Sequence, residues 1–245
     1  MPIGGFINGL RPVNLAVPVI EAAESGQQYV TAPIAAAPSG GYDLSETYFY
    51  NLVFSDGVAD NNQPKDQWYA LPAGSTELCA FWDYEGMQDG MSWSAYWFVD
   101  GEIDQGASYV DETWAGSDAG NWWVCVTSEG SLGDGLYEIV LEVEGESMLT
   151  DSIFVGGNHT VVDLTLNNES TAEVCYVQIA PHQAENWGQD RLENEETLKP
   201  GDQRTFKVAS GEYDMLLSDC DGNTLGEEHG LDLTEDLTYR FTGAQ

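Results

Sequence analysis

A period of two runs along Gly-Leu-Tyr-Glu-Ile-Val-Leu-Glu-Val-Glu at 135–144. Tyr137, Ile139, Leu141 and Val143 fall on one side, and Glu138, Glu142 and Glu144 on the other. A helix would scatter these residues around its axis. An extended strand sorts them into an inner and an outer face, as in a half-buried antiparallel sheet. Glu144-Gly145-Glu146 makes a tight turn into a second strand, Ser147–Val155. Val99-Asp100-Gly101-Glu102 is a similar hairpin signal after Ser94–Val99. Further strands are expected at Tyr48–Phe54, Glu77–Trp82 and Asn121–Thr127. Gly156-Gly157 then marks a boundary. Beyond it Val161–Leu166, Val174–Ile179, Arg204–Val208, Tyr213–Asp219, Leu225–Glu228 and Thr238–Phe241 repeat the pattern, with turns at 199–202 and 219–223. No long segment has helical periodicity. The fold expected is all-β: two small antiparallel β-sandwich domains in tandem, immunoglobulin-like, at residues 43–157 and 158–245.

Residues 1–42 differ from the rest. They hold Pro2, Pro12, Pro18, Pro33 and Pro38, and their only charges are Arg11, Glu21 and Glu24. Proline at this density excludes long helices and central strands. Val13–Ile20 and Gln28–Ile34 read as extended and apolar. No cationic stretch precedes an apolar core, so this is not an intact signal peptide, although a removed one is compatible with the sequence. An apolar segment needs a surface to pack against. That surface is its own sandwich, a sheet edge of a neighbouring copy, or a different protein, and the sequence leaves the three open. Val13, Leu15, Val17 and Val19 are the expected assembly residues, with Pro12 and Pro18 limiting pairing to one side of the strand.

Charge excludes several functions. The 245 residues carry 42 acidic and 7 basic side chains, a formal charge of −35. Nucleic acid is excluded as a partner, because phosphate neutralisation requires Lys and Arg. Docking to an anionic membrane surface is disfavoured for the same reason. No apolar run approaches the roughly 20 residues that span a bilayer, so membrane insertion is not expected.

The cysteines are Cys79, Cys125, Cys175 and Cys220, two in each expected domain. Zinc sites normally show a close Cys-x-x-Cys spacing, which is absent. The separations within the pairs, 46 and 45 residues, suggest one disulfide per domain, Cys79–Cys125 and Cys175–Cys220. Disulfides place the chain in an oxidising compartment.

Two groups of motifs carry a resemblance. Phe54-Ser55-Asp56-Gly57, the stretch Gly74–Glu102 and Gly135-Leu136-Tyr137 resemble a β-sandwich module of secreted bacterial proteins, notably from Chloroflexota. There it often lies beside other extracellular domains, including trypsin-like proteases. Cys175–Ile179, Asn186-Trp187-Gly188-Gln189-Asp190, Leu198–Gly201, Gly211–Asp214 and Asp219–Asn223 resemble a second small secreted β module. The resemblance implies an extracellular, all-β, non-catalytic protein, with turn and core residues but no catalytic residues to transfer.

Chemistry is sparse in the residues themselves. His159, His182 and His229 form no motif and read as surface residues. Gly116–Gly120 departs from the nucleophile-turn pattern and reads as a loop. Two acidic sets could offer oxygen ligands to Ca²⁺, namely Asp83, Glu85 and Asp89, and Asp219, Asp221 and Asn223. No other cofactor is implied. Seven of the 8 tryptophans lie between residues 68 and 123. Trp122 and Trp123 are adjacent on one strand, so one should enter the core and one should face out, where it could stack on a sugar ring. The expected function is a secreted or cell-surface, non-catalytic structural and interaction protein, assembling into filaments or a surface layer through its N-terminal segment. The alternative is an extracellular carbohydrate-binding accessory protein that uses exposed tryptophans.

Overall fold

The computed structural model describes residues 41–192 and 196–243. A single turn of 3₁₀ helix, Leu44–Glu46, precedes the first strand. The first domain contains β1 (Tyr48–Ser55), β2 (Gln67–Trp68), β3 (Ala70–Leu71), β4 (Glu77–Glu85), β5 (Ser92–Val99), β6 (Glu102–Ile103), β7 (Tyr109–Thr113), β8 (Gly120–Thr127), β9 (Gly135–Val143) and β10 (Glu146–Val155). The second contains β11 (Val161–Asn168), β12 (Tyr176–Pro181), β13 (Gln203–Ala209), β14 (Gly211–Ser218), β15 (Thr224–Leu233) and β16 (Leu237–Phe241). The long strands lie where the alternation places them. The short ones, β2, β3, β6 and β7, are too brief or too exposed to show a period.

In the first domain one sheet has the order β2-β1-β4-β8 and the other β3-β10-β9-β5-β6, with β7 also on β5. The long strands that come first, second and fifth therefore share a sheet, and the third, sixth and seventh share the other. This is the immunoglobulin arrangement with one change. In the constant-type domain the fourth strand pairs with the fifth. Here β6 and β7 together form an interrupted fourth strand on the outer edge of β5. No described strand pairs the outer edge of β8.

The two flanks of this sandwich differ in consequence. Residues 67–71 cross from one sheet to the other, β2 pairing β1 and β3 pairing β10 in parallel. That crossing closes the β1/β10 flank. Among the described residues the β7/β8 flank is crossed only by the loop at 114–119, and no described strand pairs across it. Between the sheets Trp82, Trp97, Ile139, Leu141 and Ile153 are fully buried, so the tryptophans of mid-strand fill the core.

The second domain reaches two sheets by another strand order, β13-β11-β16 against β12-β14-β15. Its first and last strands, β11 and β16, run parallel. Leu164, Leu166, Val177, Ile179, Met215 and Leu217 form its core. Both hairpin turns expected in the first domain have two consecutive left-handed residues, Glu144-Gly145 (φ 52° and 81°) and Asp100-Gly101 (φ 51° and 81°). Left-handed pairs of this kind match the twist of the flanking strands.

Candidate functional site

Trp122 and Trp123 do point to opposite faces, but with an unexpected outcome. Trp122 shares its parity with Val124 and Val126 and so points between the sheets. It sits at the end of β8, where the flank is open, and is 39% exposed. Trp123 faces outward, yet it is half-buried, stacked on Phe81 at 5.8 Å between ring centroids. The inward ring is the more exposed of the two.

Around Trp122 the open flank forms an aromatic mouth. Trp93 of β5 and Trp114 of the β7–β8 loop lie behind it, buried, with ring centroids 6.4 and 5.3 Å away in edge-to-face contact. Tyr109 of β7 stacks on Trp93 at 6.0 Å and is itself 43% exposed. These rings, with Glu112 and Thr113, line a cavity of about 270 Å³. Ile103 on β6 and Val110 on β7 are also exposed, but they lie outside this lining, Ile103 paired with Phe98 at the far end of β5. Large exposed apolar groups gathered on one flank mark a place where something docks.

The second feature joins the domains. Asn186-Trp187-Gly188-Gln189-Asp190 follows β12 and reaches into the closed flank of the first domain. A bulge in β1 between Tyr50 and Val53, with Asn51 left-handed at φ 53°, removes Leu52 from pairing with β4. The Gln189 side chain takes the place of that partner. Its amide Nε2 donates to Leu52 O at 2.6 Å, and its Oε1 accepts from Leu52 N at 3.0 Å. Nε2 also donates to Asp151 Oδ2 at 2.8 Å, and Arg191 donates to Asp151 Oδ1 at 2.7 Å. Asp151 lies across from Ile139 on β10 and is buried. Burial pushes its carboxyl above the usual carboxylate range, and Arg191 opposes that shift. Gly188 is left-handed at φ 76°, a conformation that favours glycine, and a Cβ there would stand a tight 3.2 Å from Asp151 Oδ1.

Glu138, expected on the solvent face of its strand, is 3% exposed. The second domain covers it: Glu185 N donates to Glu138 Oε1 at 2.9 Å. Leu136, Ala180, Ala184 and Phe154 form a small apolar cluster across the same contact. Phe154 also packs against His159, the rings 4.3 Å apart.

His182 and His229 are exposed, as expected of surface residues, but they share one partner. His182 and His229 each place Nδ1 on the buried carboxylate of Asp214, at 2.7 and 2.8 Å. His229 Nε2 meets Glu227 at 2.7 Å, and these partners, Asp214 foremost, raise its pKa. Their sequence separation concealed the grouping. Asp190 is pushed up to about 6 by burial, against the pull of the Val177 and Leu192 N–H groups.

The remaining sequence-marked residues are placed as follows. Cys79 bonds Cys125 and Cys175 bonds Cys220. Each bridge links neighbouring strands of one sheet, β4 with β8 and the ends of β12 and β14. Asp83 accepts from Asn51, Glu85 from Tyr50, and Asp89 from Gly116 N, three separate partners on one loop and strand. Asp219 accepts from Asp221 N and from Asn223 N and Nδ2, which closes the turn. Among the described residues the group of ligand-type atoms close enough for an ion is Glu77 with Cys79 and Cys125, whose sulfurs are joined to each other. The Ser117 hydroxyl donates to Ala119 O and contacts Tyr84. Val13, Leu15, Val17 and Val19 lie outside the described residues.

No family model matches the chain, and no curated protein matches it. Solved structures similar to it include the fibronectin(III)-like modules of Clostridium thermocellum CbhA, 10% identical, with 78% of this chain and 94% of that one covered and a TM-score of 0.23. The chicken CNTN1 FN1-FN3 domains are 12% identical, covering 74% and 76%, with a TM-score of 0.22. The Corynebacterium diphtheriae major pilin SpaA is 7% identical, covering 80% and 69%, with a TM-score of 0.22. The strand order of the first domain, rather than these likenesses, identifies its fold.

Proposed function

We propose that this protein is a secreted or cell-surface, non-catalytic structural and interaction protein that joins copies into filaments or a surface layer through its N-terminal segment. The observation that carries the reading is the latch of Gln189 and Arg191 on Leu52 and Asp151, which couples two sandwiches into one unit suited to bearing load. Both disulfides suit an oxidising, extracellular setting. No helix of the described residues is long and apolar enough to cross a membrane. The Ser117 hydroxyl, in the one loop with a nucleophile-like sequence, makes a structural hydrogen bond to Ala119 O.

Light scattering and electron microscopy of the full chain and of a deletion of residues 1–42 test this. The full chain should assemble with concentration, and the deletion should stay monomeric and folded. A full chain that is monomeric at high concentration overturns the reading. Activity screens on glycoside, ester and peptide substrates should show no turnover. The exposed rings of Trp122 and Tyr109 favour one second reading, a carbohydrate-binding accessory protein. Binding of soluble glycans that is lost in Trp122→Ala would support it.

A further inference from the structure

We propose that the acceptor for this assembly is the open β7/β8 flank, and that its occupant is Val13–Ile20 of a second copy, docked parallel to β8 as an added strand. The proposal rests on the assembly reading above and names its binding surface.

The edge is defined by register. Cys79 and Cys125 face each other with Cα atoms 4.0 Å apart, the spacing of a non-hydrogen-bonded pair. Ser128 N, three residues further along the same ladder and so of opposite parity, bonds Thr76 O, as this register requires. The backbone N–H and C=O groups of Asn121, Trp123, Cys125 and Thr127 therefore point away from β4, toward the side where no described strand lies. The side chains of Trp122, Val124 and Val126 point inward, toward the mouth and core.

The segment fits this edge by parity. Backbone groups also alternate between the two edges of a strand. Pro12 and Pro18 lack an N–H, and both are even-numbered, so the pairing edge must be that of Val13, Leu15, Val17 and Val19. In antiparallel pairing these residues would share a face with Trp123 and Cys125, outside the sandwich. In parallel pairing a residue bonds the two flanking the one opposite it, so the same four residues lie across from even-numbered positions of β8. Their side chains then enter the mouth beside Trp122 and Val124. The prolines face outward and block a further strand. Parallel docking is thus the arrangement that satisfies the prolines and buries the apolar face together.

Two observations bear on a second copy as the source: the linker is long enough to reach one, and the segment carries no charge to oppose the contact. Residues 21–41 join the segment to Tyr42, whose hydroxyl donates to Asp89 O. Asp89 and Gly90 bond the loop of Trp114, at the wall of the same chain's own mouth. A return to that mouth needs few residues, whereas 21–41 can span up to about 70 Å when extended. That exceeds the roughly 34 Å length of a ten-residue strand. In addition, each copy carries −35, and the segment from Pro12 to Ile20 is uncharged. It is a part of the chain that meets another copy without like-charge repulsion.

The test uses full-length variants and sedimentation across a concentration series. Val17→Pro removes an N–H from the pairing edge, and Ala16→Pro removes one from the outward edge. Trp122→Glu places a charge in the mouth, and Asn121→Pro removes an N–H from β8; near-UV circular dichroism verifies that both remain folded. Val17→Pro, Trp122→Glu and Asn121→Pro should each raise the concentration needed for assembly at least tenfold, and Ala16→Pro should leave it near wild type. An equimolar mixture of Val17→Pro and Trp122→Glu should give dimers, since one keeps the acceptor and the other the donor. Assembly that persists in both folded β8 variants, or equal effects of the two proline substitutions, overturns this acceptor while leaving the assembly reading intact. A monomeric wild type overturns both. If in that monomer Trp122 becomes more accessible to a quencher in Val17→Pro, the segment docks on its own chain.

Discussion

Gln189 acts as a one-residue strand. Its amide presents a donor and an acceptor to Leu52 in the spacing of a backbone group, and the β1 bulge leaves Leu52 available to receive it. Gln189→Ala should cost about 1–3 kcal/mol, because Leu52 and Asp151 lose partners in a half-buried contact. Calorimetry should show the single transition broadening or splitting into two as the domains uncouple. A second residue-level expectation concerns pH. Asp190 and His229 both hold a proton more tightly in the folded chain than in the unfolded one. Each therefore adds stability at low pH that is lost as pH rises, Asp190 between about 4 and 6 and His229 above its ordinary 6.5. Asp190→Asn keeps the oxygen that accepts from Val177 and Leu192 but removes the buried charge. It should be more stable than wild type by about 1–3 kcal/mol at pH 8 and no different near pH 4. Urea titrations at the two pH values measure this.

Among the elements, the long strands and both disulfides were legible in the sequence because period two and cysteine spacing are local or pairwise signals. Tyr137, Ile139, Leu141 and Val143 are buried as their alternation requires. Glu138 obeys the same alternation and is buried all the same, because a second domain covers the outer face there. Alternation reports which face a residue takes, and does not report what later packs on that face. Trp122 shows the converse: its face is the inner one, but the flank at its end of β8 lacks a neighbour. The latch and the pair of histidines on Asp214 were hidden because they bring together loops far apart in the chain through polar groups with no period. At this scale the β4–β8 disulfide closes a loop of 46 residues. Replacing both Cys79 and Cys125 by Ala should lower stability by roughly 4 kcal/mol in the chain-entropy account, read as a lower denaturation midpoint.

The whole molecule is a strongly anionic pair of sandwiches with one flank sealed and one open. The crossing strand and the Gln189 latch both lie on the β1/β10 side, so the β7/β8 side is left for another surface. Charge sets the conditions for that contact. Copies of −35 repel over a Debye length of about 30 Å at 0.01 M salt and about 8 Å at 0.15 M. Raising sodium chloride across that range should strengthen assembly, measured by sedimentation. Weakening instead would mean that attraction between charges holds the copies together.

The cross-strand disulfide between Cys79 and Cys125 has a mechanical consequence. An edge strand pulled from its end normally peels, breaking one ladder rung at a time. Here the covalent bridge stands near the C-terminal third of β8, so peeling from Gly120 must stop at Cys125. Tension arriving along β8 then passes through sulfur into β4, which is flanked by β1 and β8 in the middle of its sheet. Under a pulling force the strand that borders the open flank would yield last, and only after its neighbours had shared the load.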